Sequence, residues 1–210
     1  MNRAREMINL IITGVGGQGN VLAARILASA VLVEGYEVTV GDVYGITQRG
    51  GSVASHVRWT KGKPLPPSVP QNSLDILVAF EPMEALRVLT QFGNEDTVAI
   101  VNDMPIMPIG VQTGNFVYPD LTDLCDMLRN LTRDLRFVHA TSIAHEIGNI
   151  QVLNMVMLGA LCGSGFIRLG INSFEKTIKS LISKRFIEID LLAFRAGNNL
   201  VKSNQSKINC

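Results

Sequence analysis

The run Ile8–Thr13 (INLIIT) is apolar and β-branched, and it stops abruptly on glycine. Gly14, Gly16, Gly17 and Gly19 follow, separated only by Val15 and Gln18, and then comes the Ala-rich segment Asn20–Val33, which ends before Gly35. This order predicts a buried strand, a tight turn free of Cβ atoms, and a helix apolar nearly all round. A helix of that kind is buried on more than one side, so the chain must supply cover beyond a single sheet face.

The rest of the chain repeats the alternation. Tyr36–Tyr44 reads as a second strand, and residues 51–60 (GSVASHVRWT) alternate in a way that predicts a half-exposed strand. A proline-rich loop at Lys61–Ser73 leads to a buried strand at Leu74–Glu81, and Pro82 suits the first turn of a helix running to Leu89. Further strands are expected at Thr97–Asp103 and 136–141, with a helix at Leu121–Leu131 between them. Ile143–Leu161 reads as one buried core helix, interrupted in composition by Gly148, Gln151 and Asn154. Asn172 and Glu175 have capping-box spacing for a helix starting near Ser173. Its apolar positions continue from Phe174 to Phe194, with Gly197 as a stop. The expected fold is α/β: a Rossmann-like, mixed and mostly parallel sheet with helices on both faces and a helical C-terminal third (about 143–200), in one domain over 1–210.

Gly14-x-Gly16-x-x-Gly19 after a strand and before a helix has the spacing that lets backbone approach an anion at a helix N-terminus. Three readings stay open at this point: a dinucleotide, another anionic group, or glycines needed only for helix–strand packing. Asp42 could be the ribose-binding acid of a nicotinamide site, but an alternating strand follows it where a crossover helix is required. Asn20 occupies the position of the P-loop lysine, which removes that motif. A second stretch, Gln48-Arg49-Gly50-Gly51, sets a planar cation beside two glycines, either to meet a phosphate or carboxylate or to form a solvated turn.

Composition narrows the function classes. A net charge of +1 offers no electrostatic footprint for nucleic acid or an anionic membrane. No uninterrupted apolar run approaches the roughly 20 residues that span a bilayer. Arg3, Arg5, an apolar run and Ala28–Ala30 imitate a secretion leader, but Gly14–Asn20 and Arg25 interrupt it, so a cytoplasmic location is expected. Cys125, Cys162 and Cys210 are too few and too scattered for a zinc or iron–sulfur site within this chain. His56, His139 and His145 have no metal-ligand spacing and read as structural or surface histidines, and Gln151 and Asn154 as internal hydrogen-bond ties. Only 18% of residues are charged while 47% are hydrophobic. The apolar segments 20–33 and 150–161 are therefore expected either to meet a partner subunit or to cover each other.

GVGGQGNVLAARILASAV followed by YGITQRGGSVASHVRW resembles the gamma-type domain of 2-oxoacid:ferredoxin oxidoreductases, most nearly the small (beta) subunit of the indolepyruvate branch. FEPMEALRVL, VNDMPIMPIGV and NMVMLGAL extend the likeness over nearly the whole chain, with Asp190 standing where the pattern leads one to expect Asn. The resemblance implies a subunit that supports oxidative decarboxylation of an arylpyruvate to an acyl-CoA, with ferredoxin as acceptor. It implies that thiamine diphosphate, Mg2+ and the iron–sulfur clusters sit on a larger partner subunit, that this chain binds none of them, and that coenzyme A is a shared co-substrate. Carried over by position, the active-site-facing loops are Gly14, Gly16, Gly17, Gln18 and Gly19 with Gln48, Arg49, Gly50, Gly51 and Ser52. No residue of this chain is expected to be catalytic. A stand-alone NAD(P)-dependent oxidoreductase and a purely structural paralogue that shapes no active site are the alternatives, and self-association as a homodimer stays open.

Overall fold

A computed structural model describes residues 7–44, 51–106 and 118–202. Gln48, Arg49 and Gly50 lie outside the described residues. Six strands form one sheet: β1 (Met7–Val15), β2 (Glu37–Tyr44), β3 (Ser52–Thr60), β4 (Ile76–Ala79), β5 (Val98–Asn102) and β6 (Asp134–Val138), in the order β2-β3-β1-β4-β5-β6. β1, β4, β5 and β6 are mutually parallel, whereas β3 runs antiparallel to both β1 and β2. The expected mixed, mostly parallel sheet is therefore present, with its single reversed strand beside β1.

The helices are α1 (Asn20–Val33), α2 (Pro82–Phe92), α3 (Leu121–Asn130), α4 (Ala140–Glu146), α5 (Leu153–Gly163), α6 (Ile171–Leu181) and α7 (Ile187–Lys202). They cover both faces, and the period of two along each strand sorts the side chains. Leu10, Ile12, Ile76, Val78 and Ile100 enter the larger core with α1 and α4–α7. Ile11, Leu77, Ala79, Ala99 and Val101 enter the smaller one with α2 and α3.

Six expectations are corrected. β3 is not half-exposed: His56 and Arg58 are 3% and 5% accessible. The proline-rich loop folds back over their face, where Arg58 donates from Nη1 to the carbonyls of Pro66 and Ser68, both at 2.9 Å, and from Nε to Asn9 at 2.8 Å. His56 Nδ1 accepts the Val69 N–H at 3.0 Å, and its ring meets Phe92 edge-on. Burial and the neighbouring Arg58 push the His56 pKa below its usual value, consistent with a neutral ring used as an acceptor. The long helix expected over 143–161 is two helices joined by a 3₁₀ turn at Ile150–Val152, because Gly148 takes φ +87° and ends α4. Its predecessor strand stops at Val138, and Ala140–Thr141 already belong to α4.

Nor does Asn172 cap a helix. α6 begins at Ile171 with Gly170 as its cap, Ser173 donates to the Glu34 carboxylate, and Glu175 pairs with Arg195 at 2.7 Å. A break at Ile182 and a 3₁₀ turn at Lys184–Phe186 then separate α6 from α7. Gly197, expected as a stop, lies inside α7 for a packing reason. A Cβ there would stand 2.0 Å from the Val156 carbonyl oxygen, and one at Gly159 would stand 1.9 Å from that of Phe194. α5 and α7 thus cross backbone to backbone, and this seam helps to bury residues 152–161, whereas Ile150 and Gln151 stay exposed.

Candidate functional site

The parallel strands β1, β4, β5 and β6, together with β2, end at one edge of the sheet, where β3 begins. Ligands of open α/β sheets bind beyond this carboxyl edge. Here β1 runs into the turn Gly14–Gly19. Val15 lies opposite Ser52 in the β1–β3 ladder, and the Gly16 N–H donates to the Gly51 carbonyl at 2.8 Å. The first glycine loop and the end of the second motif are therefore hydrogen-bonded neighbours.

Each glycine of the first loop has its own reason. A Cβ on Gly14 would meet Gln18 Oε1 at 2.6 Å and Phe80 Cβ at 2.9 Å. Gly19 caps α1 in the left-handed region (φ +83°), and a Cβ there would stand 2.7 Å from the Asn154 amide nitrogen. Gly17 differs: it is exposed, has φ +107°, and nothing lies within 4 Å of where its Cβ would be. Space above it is open.

Gln18 is a brace. Its Oε1 accepts the Val15 N–H at 2.7 Å and its Nε2 donates to the Phe80 carbonyl at 3.0 Å, tying the turn to the end of β4. With Val15, Gly16 and Gln18 N–H groups all turned inward, the loop itself is not an all-amide phosphate cradle. What remains for an anion is the first turn of α1, which has no side-chain cap and no acidic residue. Beneath it, Asn20 Oδ1 is buried without a hydrogen-bond partner.

A polar platform along the same edge was not singled out from sequence. Glu81 is 1% accessible and accepts from the Glu84 N–H (2.9 Å), the Ile106 N–H (3.3 Å) and the Tyr118 hydroxyl (2.5 Å). Burial pushes its carboxyl above the usual range, and the donors only partly offset that; Tyr118 is pushed well above the phenol range by burial and by Glu81. Ser52 donates to Glu84 at 2.5 Å, and Arg87 flanks the same carboxylate at 3.4 Å. Asn102 donates to Phe80 O and Thr141 Oγ1. His139 Nδ1 pairs with the Asp103 carboxylate at the ends of β6 and β5. In the sequence, the one mark of this set is that Glu81, Asp103 and His139 stand one or two positions past their strands.

Asp42 accepts the Ser55 hydroxyl at 2.5 Å across the β2–β3 pair and so is already engaged. Asn154, read as an internal tie, is buried against Gly19. Among the described residues no group of three or more His, Cys, Asp or Glu side chains could hold a metal ion, and no helix is long and apolar enough to cross a membrane.

Residues 9–200 match the family described as pyruvate ferredoxin/flavodoxin oxidoreductase. The chain is 34% identical over 192 residues to the indolepyruvate oxidoreductase subunit IorB of Archaeoglobus fulgidus, covering 91% of this chain and 94% of the relative. It is 29% identical to the pyruvate/ketoisovalerate oxidoreductases common subunit gamma of Pyrococcus furiosus, covering 90% and 94%. In fold it is similar to the keto/oxoacid ferredoxin oxidoreductase gamma subunit of Geobacter sulfurreducens (TM-score 0.68, 21% identity, 93% of this chain and 99% of that one). It is also similar to 32% of a chain of the 2-oxoglutarate:ferredoxin oxidoreductase of Magnetococcus marinus, with 95% of this chain covered (TM-score 0.74, 19% identity). With the first glycine loop on the sheet's carboxyl edge, hydrogen-bonded there to Gly51, and the match spanning nearly its whole length, the chain belongs to the gamma-type subunits of the pyruvate ferredoxin/flavodoxin oxidoreductase family.

Proposed function

We propose that this chain is the small subunit of an indolepyruvate-type ferredoxin oxidoreductase, completing an active site whose cofactors belong to a larger subunit. A 2-oxoacid and coenzyme A there become an acyl-CoA and CO2, and the electrons pass to ferredoxin. Thiamine diphosphate, Mg2+ and iron–sulfur clusters are assigned to the larger chain, which supplies the carbanion and electron-transfer chemistry. The observation that carries this reading is the Gly16–Gly51 hydrogen bond, which couples the two family motifs into one wall.

This chain's own part is steric and electrostatic. Gly17 leaves a face that a neighbouring chain or ligand can approach without meeting a side chain. The uncapped first turn of α1 favours an anionic group, such as a phosphate of coenzyme A. Gln18 braces the first loop, Glu84 holds Ser52 at the start of β3, and Glu81 ties neighbouring segments of the same edge; none is offered as a ligand. The Magnetococcus marinus enzyme, seen with 2-oxoglutarate, coenzyme A and succinyl-CoA bound, supports the same class of chemistry.

The test is reconstitution with the larger subunit, followed by acyl-CoA formation and reduction of a one-electron acceptor with arylpyruvates. Turnover is expected only when both chains are present. Gly17→Ala, strained at a left-handed φ and intruding on the open face, and Arg49→Ala should each raise the KM for coenzyme A. Unchanged steady-state kinetics in both would remove the loops from the active site. Substrate oxidation by the isolated chain on adding NADPH or NAD would overturn the reading altogether.

A further inference from the structure

Beside the first glycine loop, whose Gly19 packs on the lining residue Asn154, a cleft of about 310 Å³ opens between the start of α1, the 149–155 segment, the end of α6 and the first turn of α7. Its walls are apolar: Leu22, Met155, Leu181, Ile182 and Phe186. Asp190 lies in that lining, 8% accessible. Its carboxylate has no hydrogen-bond or ion-pair partner among the described residues. Burial raises its pKa, and no neighbouring cation offsets the rise. The polar residues that share the cleft, Asn149, Gln151, Asn154 and Ser183, carry no charge. Of the cations nearest in sequence, Arg185 stacks on the Phe186 ring, 4.4 Å from its centroid.

Asp190's carboxylate oxygens open on this apolar cleft with no partner, where they are poorly hydrated, and a cation set against them would offset that cost. The rim indicates what. Leu22, Leu181 and Phe186 are 37%, 49% and 38% accessible, and Ile150, beside the lining residue Gln151, is 47% accessible. Exposed apolar side chains around a partly desolvated charge are the anatomy of a protein–protein contact with one central anchor. We infer that this cleft receives a lysine or arginine side chain of the larger partner subunit, its aliphatic stem against the apolar walls and its cationic head on Asp190. The inference rests on the subunit reading above and adds to it a specific anchor point.

The test compares wild-type chain with Asp190→Asn, which keeps size and removes charge, in assembly with the larger subunit measured by titration calorimetry at two salt concentrations. The variant is expected to bind roughly tenfold or more weakly, with a smaller dependence on salt, while its own melting temperature is unchanged or higher. Equal affinity of variant and wild type overturns the inference and leaves the subunit assignment standing. Failure of the wild-type chain to bind the larger subunit overturns both. n-Butylguanidinium that raises the melting temperature of the free wild-type chain without competing with assembly would make this a small-cation site, and also overturns the inference.

Discussion

Glu81 and Asp190 are both buried carboxylates at helix starts, and both are pushed above the usual carboxyl range by burial. Their surroundings are opposite. Glu81 caps α2 and gathers three donors from three stretches of chain, so it locks the carboxyl edge of the sheet around the glycine loops. Asp190 gathers none and faces a cleft rimmed with apolar side chains. The difference separates an internally completed polar site, whose task is to hold backbone in place, from one whose completion lies in another molecule.

The contrast can be broken most forcefully through the α5–α7 seam, which holds Asp190's helix in position. Gly197→Ala places a Cβ 2.0 Å from the Val156 carbonyl oxygen. The helices must splay, at a cost of about 4 kcal/mol, so thermal melts should fall by roughly 10 °C. A melting temperature equal to wild type would mean that the seam is not tightly packed. Glu81→Ala comes next. It strands the Glu84 and Ile106 N–H groups and the Tyr118 hydroxyl, with an expected loss of about 3 kcal/mol in urea unfolding. Tyr118→Phe removes one of those donors and should lose about 1 kcal/mol in the same assay. If both variants unfold like wild type, Glu81 does not brace the edge.

The smallest effect has the opposite sign. Asp190→Asn should stabilise the free chain by about 1 kcal/mol near neutral pH. The gain depends on pH in a defined direction. Burial holds the folded pKa of Asp190 above its ordinary 3.8, so folding disfavours the charged form. The penalty is absent below the unfolded value and grows as pH rises through the folded one. Melts of variant and wild type should therefore converge at low pH and separate toward pH 7. A difference that shrinks as pH rises would show that Asp190 has found a cation within its own chain.

Much of the sheet was legible because its strands are short and sharply bounded. Ile8–Thr13, Leu74–Glu81 and Thr97–Asp103 are continuous apolar runs closed by glycine, proline or acid, as doubly covered parallel strands require. The burial of β3 was not legible. Its alternation is real, but Arg58 is covered by a loop 8–10 residues away whose carbonyls satisfy the guanidinium. Gly148 and Gly197 illustrate a second difficulty. Both are glycines in apolar helical stretches, yet one ends a helix at positive φ and the other lets two helices touch. Composition does not distinguish a backbone dihedral from a neighbour's approach. Of the candidate site, the two glycine motifs were visible as patterns. That Gln18 also braces the turn against β4 required knowing that the Phe80 carbonyl lies beside it.

The sequence alone determined the strand–glycine turn–helix opening, the alternation that makes an α/β sheet, the lack of a cysteine set for its own redox centre, and the family, because each is written in local order and spacing. Only the tertiary structure decided which polar groups are completed internally and which are not. Glu81 and its donors, or Asp190 and its empty surroundings, are separated by tens of residues along the chain, and burial without a partner is a property of packed neighbours that no single stretch of sequence contains.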